Sequence, residues 1–154
     1  MFDFEARLSE LGYKLPVPPE PKGAYLPVRR YGNLIFSSGT GANIKGVRYY
    51  TGCVGKSVTL EEARESGRLA LLNNLANIYH EVGDDIRYLK VLRLTGYVSS
   101  DPDFHDQAKV VDGASMLLYD IFGENGRHAR SAIGVASLPF DLSVEIELVV
   151  SIEK

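Results

Sequence analysis

The fold is decided by residues 128–150, HARSAIGVASLPFDLSVEIELVV, which are typical of two β-strands near 130–137 and 142–152. Successive side chains of a strand point to opposite faces, so the second strand has one aliphatic face and one face that carries Glu145 and Glu147. The aliphatic face consists of Val144, Ile146, Leu148 and Val150. A charge within a hydrophobic strand is costly unless it is paired or solvated, so the glutamate face meets either water or another subunit.

Two helices are predicted upstream of this stretch. Thr59 and Glu62 match a capping box, and apolar residues then recur every three or four positions until Gly83. A second amphipathic helix is predicted over about 106–122, with Gly123 beyond its end. Each helix can bury one apolar stripe against a sheet.

The remaining strands come from shorter patterns. Residues 24–30 and 33–38 favour a hairpin, because the YGN turn between them suits positive backbone φ angles. Residues 86–100 alternate strongly enough for one long strand. The Gly- and Tyr-rich segment after the hairpin is interpreted as a loop with a short strand near 47–50.

The resulting order, β-β-α-β-α-β-β, predicts an α+β fold in two layers, with both helices on one face of a single sheet. In front of it, apolar spacing predicts a short helix over 2–11 that ends at Gly12. The prolines that follow exclude helix and favour an extended arm across the domain surface. We therefore divide the chain into an N-terminal helix with a proline-rich arm, 1–22, and one domain, 23–154.

Composition narrows the classes of function. The 154 residues are 45% hydrophobic and 24% charged, which is ordinary for one globular domain. A formal net charge of −3 argues against nucleic-acid binding, which draws on clustered Lys and Arg. The single cysteine, Cys53, indicates a reducing compartment, and a bystander role is favoured over a nucleophile. No signal-peptide pattern or membrane-length apolar run occurs, so we expect a cytoplasmic protein without membrane contact.

Periodicity alone favours modest roles for the charged residues of the opening stretch. Arg130 is interpreted as a solvated charge at a strand start, and Glu145 and Glu147 as polar positions on an exposed sheet face. The three histidines have no metal-ligand spacing, so no metal site is expected. SSGTG at 37–41 is either a plain turn or a place where backbone N–H groups approach a ligand. No phosphate loop, dinucleotide fingerprint or nucleophile elbow is present.

RSAIGVASLPFDLSVEIELVV at 130–150, with GNLIFSSG at 32–39, resembles the RidA/YjgF family of reactive-intermediate deaminases, also called the endoribonuclease L-PSP family. The resemblance covers about residues 23–153. VVDGASMLLYDIFGENGRHARSA at 110–132 is similar to a poorly characterised, N-terminally extended branch of that family. The resemblance implies a chorismate-mutase-like fold, in agreement with the element order. It also implies a homotrimer with clefts between neighbouring subunits.

The resemblance implies roles for individual residues. Arg130 would hold the carboxylate of a 2-imino or 2-enamino acid with its planar fork. Glu145 would position or activate the attacking water, helped by the backbone carbonyl of Ala132, while Glu147 would be structural or interfacial. The substrate pocket would be lined by Tyr25, Ser38, Gly39 and Thr40. These roles imply hydrolysis of the imine to a 2-oxo acid and ammonia, without metal or cofactor.

The chain departs from the family pattern at Thr40-Gly41-Ala42, where Gln and then Pro are common, and at His128, where Pro is frequent. These departures and the N-terminal extension leave the substrate side chain open. Our first hypothesis is a trimeric 2-iminopropanoate deaminase-like hydrolase acting on C=N bonds. The alternative is a non-catalytic sensor that binds a small carboxylate in the same cleft. An endoribonuclease rests on the family's older name alone, since neither a histidine pair nor a basic groove is evident.

Overall fold

One five-stranded sheet forms the centre of the protein. The computed structural model describes residues 2–18 and 20–154; Met1 and Pro19, which belong to the predicted N-terminal segment, lie outside the described residues. The elements in chain order are α1 (Phe4–Glu10), β1 (Val28–Tyr31), β2 (Leu34–Ser37), β3 (Asn43–Ile44), β4 (Val47–Arg48), α2 (Leu60–Val82), β5 (Leu89–Ser99), α3 (Gln107–Phe122), β6 (Ala129–Val135) and β7 (Val144–Ile152). The strand order is β1-β2-β7-β5-β6, in which β5 and β6 run parallel and the other pairs antiparallel. Strands β3 and β4 form a separate ribbon.

The side-chain alternation of β7 determines which face of the sheet is covered. Its four aliphatic residues are at most 1% exposed, and α2 and α3 pack against each other on this side. Glu145, Glu147 and Val149 point to the opposite face and are partly exposed. The predicted two-layer α+β sandwich is therefore confirmed, with one open sheet face.

Both long helices begin and end as the sequence predicts. The Thr59 side chain accepts from the Glu62 backbone N–H and the Glu62 carboxylate accepts from the Thr59 backbone N–H, which completes the capping box. Gly83 and Gly123 have φ angles of 55° and 57° and end α2 and α3. Among the described residues, no helix has the length and apolarity to cross a membrane.

The N-terminal helix is part of the core. The Asp3 side chain caps α1 by accepting from the Ala6 backbone N–H. Phe4 and Leu8 are at most 4% exposed, and the Phe4 ring lies 5.4 Å from Tyr79 and 5.7 Å from Phe122 between centroids. The described residues of the proline-rich arm form no regular element. A division of the chain at residue 22 stays a prediction.

Three of the differences between observed and predicted strand boundaries have a clear local cause. The first strand begins at Val28, not at residue 24, because Pro27 has no N–H to donate to the ladder. The long strand begins at Leu89, not at 86, because Gly83–Tyr88 forms a 3₁₀ turn that buries Ile86. The strand expected near 47–50 is shorter, Val47–Arg48, since Tyr50 adopts a positive φ angle.

Gly113 allows α2 and α3 to approach closely. A Cβ at this position would overlap the backbone carbonyl of Arg64, so Gly113→Ala should lower the free energy of unfolding by about 1–3 kcal/mol. Gly67→Ala is the matched control within a helix, because its Cβ would lie 3.7 Å from the nearest atom. That variant should gain roughly 0.5–1 kcal/mol from helix propensity. Urea unfolding checks both, and equal stabilities would contradict this helix packing.

Candidate functional site

Arg130 lies on the edge strand β6 and reaches across to α3. It is in register with the buried Leu94 of β5, so its side chain lies on the helix-covered face of the sheet. Its Nη1 donates to Asp112 Oδ1 at 2.7 Å and to Ser115 Oγ at 3.3 Å. Nε and Nη2 donate to no described residue, and the side chain is 26% exposed. One part of the guanidinium fork is thus held by α3, and the other part is free for a ligand.

His128 fixes the geometry around Arg130. Its Nδ1 must carry the proton, because it lies 2.6 Å from the Gly126 carbonyl oxygen, which can only accept. The ring Nε2 therefore accepts from Ser115 Oγ, 2.9 Å away. Burial lowers the pKa of His128 and the nearby Arg130 charge lowers it further, against a smaller raising effect of the Gly126 carbonyl. The neutral ring orients the Ser115 hydroxyl so that its lone pairs face Arg130.

An open cavity of about 620 Å³ lies over these groups. Its lining includes Asp112, Ser115, Met116, Tyr119, His128 and Arg130. We call Asp112, Ser115, His128 and Arg130 the arginine cluster. Its one unengaged cationic edge, beside a cavity, suits a small carboxylate, because two parallel N–H donors match the two oxygens of that group.

Glu145 lies on the open face of the sheet and has no hydrogen-bond donor among the described residues. Burial raises the pKa of its carboxyl group, and the negative charge of Glu147 raises that pKa further. Glu147 differs, because its Oε1 accepts from the Tyr97 hydroxyl at 3.1 Å. The Glu145 carboxylate packs directly against Gly39, where any Cβ would overlap it. Of the two glutamates, Glu145 is the one free to act on a bound water.

The turn at Ser38-Gly39-Thr40 is clamped between β7 and α2. Asn74, fully buried on α2, donates through Nδ2 to Thr40 Oγ1 and to the Ile146 carbonyl at 2.6 Å each. Thr40 Oγ1 in turn donates to the Ala70 carbonyl at 2.7 Å. The hydroxyl of Thr40 is therefore used within the fold, as is that of Ser38, which donates to the Leu26 carbonyl at 2.6 Å. The backbone N–H groups of Ser38 and Thr40 are paired as well, so the predicted ligand contact at this turn comes down to the Gly39 N–H, which has no partner among the described residues.

Four of the predicted site residues share a second cavity, of about 550 Å³. They are Tyr25, Ser38, Gly39 and Thr40. Tyr25 is 55% exposed at its mouth. We call these four residues and Glu145 the glutamate cluster, since the Glu145 carboxylate abuts Gly39. Cys53 lines neither of the two cavities.

The arginine and glutamate clusters do not meet within one chain. Arg130 and Ala132 alternate onto the helix-covered face, where Ala132 packs against the core, whereas Glu145 pairs with Tyr97 on the open face. A sheet thus lies between the two charged groups. Any ligand that touches both must lie between two copies of the chain. Within the described residues, no group of three or more His, Cys, Asp or Glu side chains is placed to hold a metal ion.

Sequence reasoning missed the residues that hold the clusters in place. Asp112 and Ser115 look like ordinary polar positions of α3, and their contact with Arg130 depends on the packing of a helix on an edge strand. Asn74 did leave a signal, because LNNLAN at 72–77 puts polar side chains into the buried part of a helix. Buried amides of this kind need partners, and the partners of Asn74 are Thr40 Oγ1 in the turn at 38–40 and the Ile146 carbonyl.

Comparisons with known proteins agree with this architecture. The family model described as "YjgF/chorismate_mutase-like, putative endoribonuclease" matches residues 5–150. Protein TCP17 of Trypanosoma cruzi is 36% identical over 148 residues, which cover 96% of this chain and 92% of that protein.

Solved structures extend the similarity to three dimensions. The protein Atu1372 of Agrobacterium tumefaciens, described as having unknown function, has 40% identity and a TM-score of 0.91, covering 97% of this chain and 92% of that one. A "putative endoribonuclease" from Shewanella oneidensis has 30% identity and the same TM-score of 0.91, covering 96% of this chain and 97% of that one.

The raised pKa of Glu145 makes its negative charge a cost to the fold. Since the protonated form is favoured in the folded state, the stability that the protonated Glu145 carboxyl group contributes is complete below the unfolded-state pKa. It is lost as pH rises through the folded-state pKa. Glu145→Gln should therefore match the wild type near pH 4 and be more stable at pH 7.5, by up to about 1 kcal/mol after solvent screening. Thermal unfolding at both pH values measures this.

Glu153→Gln is the control of opposite sign. Hydrogen bonds from Lys90 and then Ser151 lower the pKa of Glu153, so its contribution is present above the unfolded-state pKa and is lost as pH falls. This variant should gain nothing at pH 7.5. A lower Tm for Glu145→Gln than for the wild type at pH 7.5 would mean that the Glu145 charge is stabilised by a partner.

Proposed function

Because the chain belongs to the YjgF/chorismate-mutase-like family, we propose that it is a deaminase that hydrolyses 2-imino or 2-enamino acids to 2-oxo acids and ammonia. One contrast carries the proposal. Arg130 has unused N–H donors beside a cavity, while Glu145, with a raised pKa and no hydrogen-bond donor, packs against Gly39 of a second cavity. The first group suits a substrate carboxylate, and the second suits a water molecule that needs a base.

We place the reaction between two chains of a homotrimer. Since a sheet separates the two clusters, the arginine cluster of one subunit would face the glutamate cluster of its neighbour. The open sheet face supports such an assembly, because it carries exposed apolar side chains in addition to the glutamates. Tyr31 is 80% exposed, and Phe36 and Ile133 are each 44% exposed. An apolar surface of this kind is typical of a subunit interface.

The proposed chemistry is balanced by one water molecule. Arg130 binds the substrate carboxylate and orients the C=N carbon toward the water held by Glu145. Glu145 takes a proton from that water while the oxygen bonds to the carbon of the protonated imine, and the C=N π electrons move onto the nitrogen. Glu145 then returns its proton to the nitrogen, and the C–N bond breaks as the C=O bond forms. The hydroxyl proton passes back to Glu145 and from there to the departing ammonia, which leaves as ammonium. A carboxyl whose pKa lies above its usual range is a stronger base for the first step.

Asp112 supports a second candidate, a carboxylate-binding protein without turnover. Its carboxylate already engages Arg130 Nη1 at 2.7 Å, so it offsets part of the positive charge that an incoming ligand meets. Such an arrangement suits reversible binding of a small acid as well as catalysis. The two functions differ in one observable, the release of ammonia from an imine.

The decisive experiment generates short-lived imino acids with an amino-acid oxidase, traps them with semicarbazide and measures how far the protein lowers the trapped fraction. Arg130→Ala should lower the rate of imine removal at least about 100-fold, because it removes charge-assisted hydrogen bonds to the substrate carboxylate. Arg130→Lys should recover only part of this rate, since lysine offers a point charge and no fork. Arg68→Ala, on the outer surface of α2 with Glu65 as its partner, should behave like the wild type.

Three results would count against the deaminase. Equal rates for the wild type and Arg130→Ala would exclude Arg130 as the carboxylate anchor. Saturable binding of 2-oxo acids in calorimetry, without ammonia release from small, aliphatic or aromatic imines, would favour the binding protein. RNA cleavage by the purified chain that persists in Arg130→Ala and Glu145→Gln would favour the endoribonuclease.

A further inference from the structure

The second cavity extends well beyond the glutamate cluster. Its walls are the proline-rich arm, the β3–β4 ribbon and the loop before β7, and its floor is α2. A volume of about 550 Å³ is in the range of small-molecule sites and exceeds what an imino acid with a short side chain needs. The part of the cavity away from Gly39 therefore has room for a further group of a ligand.

The wall of this distal part is positively charged. It contains Lys22, Lys45 and Arg48, which we call the basic wall, and a single acidic residue, Glu20. No cation of the basic wall forms an ion pair with a described residue. The chain as a whole has a formal net charge of −3, so this local excess of positive charge opposes the overall charge. It favours a negatively charged ligand group.

The floor of the cavity carries buried amides with unused hydrogen-bonding capacity. Asn77 is 5% exposed, and its side chain forms no hydrogen bond with a described residue. Asn73 is 1% exposed, and its Nδ2 donates to the carbonyls of Gly41 and Asn43, which leaves Oδ1 without a partner. Leaving such buried groups unpaired is costly to the fold. The Nδ2 of Asn77 can therefore donate to an acceptor oxygen of a ligand in the cavity.

The basic wall is held in place before any ligand arrives. The Arg48 guanidinium lies 4.4 Å from the centroid of the Phe140 ring, an arrangement that leaves the N–H groups at its rim free. Phe140 and Lys45 have φ angles of 59° and 51°, which side chains other than glycine rarely adopt. Strained backbone of this kind persists where the surroundings impose it and is concentrated at ligand sites.

We propose that the substrate carries a second negatively charged group at its far end, which Lys45 and Arg48 bind while Asn77 Nδ2 donates a hydrogen bond to the same group. The inference rests on the proposed function, because it takes the reacting carbon to lie at Gly39, which lines this cavity and against which the Glu145 carboxylate packs. The class of substrate is then the imines of acidic amino acids, and the product is a dicarboxylic 2-oxo acid.

Calorimetry with two 2-oxo acids of equal chain length tests the subsite without any turnover. 2-Oxoglutarate should bind at least about tenfold more tightly than 2-oxopentanoate, which lacks the second carboxylate. The double variant Lys45→Gln/Arg48→Gln should remove this preference and leave the binding of 2-oxopentanoate unchanged. Lys109→Gln/Lys154→Gln, with the same change of net charge but outside both cavities, should retain the preference.

A second measurement separates this inference from the proposed function. Imines made by oxidases from glutamate and from norvaline are compared in the trapping assay. Faster removal of the glutamate imine, lost in Lys45→Gln/Arg48→Gln, supports both proposals. Tighter 2-oxoglutarate binding without removal of any imine supports the subsite and overturns the deaminase. Removal of both imines at equal rates, with no difference in binding, overturns the subsite and leaves the deaminase standing.

Asn77→Leu distinguishes a ligand contact from a structural role. Leucine has a similar volume and removes an unpaired buried amide, so the variant should have a higher Tm than the wild type while it binds 2-oxoglutarate several-fold more weakly. A lower Tm together with unchanged binding would show that Asn77 serves the fold alone.

Discussion

The two-residue period of β7 is the constraint on which the rest of the structure depends. A strand can place only every second side chain under the helices, so the aliphatic row of β7 forces Glu145 and Glu147 onto the other face. Strand β6 is in register with β5, and the same period places Arg130 on the helix side, next to α3. The covered core and the separation of the two charged groups therefore have one cause. Within one chain the arginine and glutamate clusters stay apart, and the chemistry proposed above would join them only through assembly.

Polar side chains hold the residues around the two cavities in fixed positions. Asn74 links the turn at 38–40 to β7, and His128 holds the Ser115 hydroxyl that accepts from Arg130. Neither residue is easily recognised from the sequence, because Asn74 lies in an apolar helix and His128 lies at an element boundary. Their hydrogen bonds hold groups that otherwise have several rotamers, and a site with fewer rotamers loses less entropy when a ligand binds.

The sequence predicted the fold well because its signals are local. The capping box at Thr59, the alternation of 144–150 and the glycines beyond each helix act within one element and need no partner. Strand ends were less predictable, since Pro27 stops pairing through its missing N–H, and the 3₁₀ turn at 83–88 follows from the burial of Ile86. The candidate residues Arg130 and Glu145 were found through the family resemblance. Their placement on opposite faces was readable from alternation only once the register of β6 against β5 was known.

The proline-rich arm has a consequence for how this fold diversifies. Its two ends are fixed, one by Phe4 and Leu8 in the core and the other by β1, while its middle forms a wall of the second cavity. Loop-closure entropy changes slowly with length, by about 0.6 kcal/mol for each doubling, so residues can be exchanged or inserted in such a tether at little cost to the sheet. The sheet that carries Arg130 and Glu145 and the wall of the second cavity can therefore diverge independently, so chains with one backbone can differ in the shape and charge of that cavity.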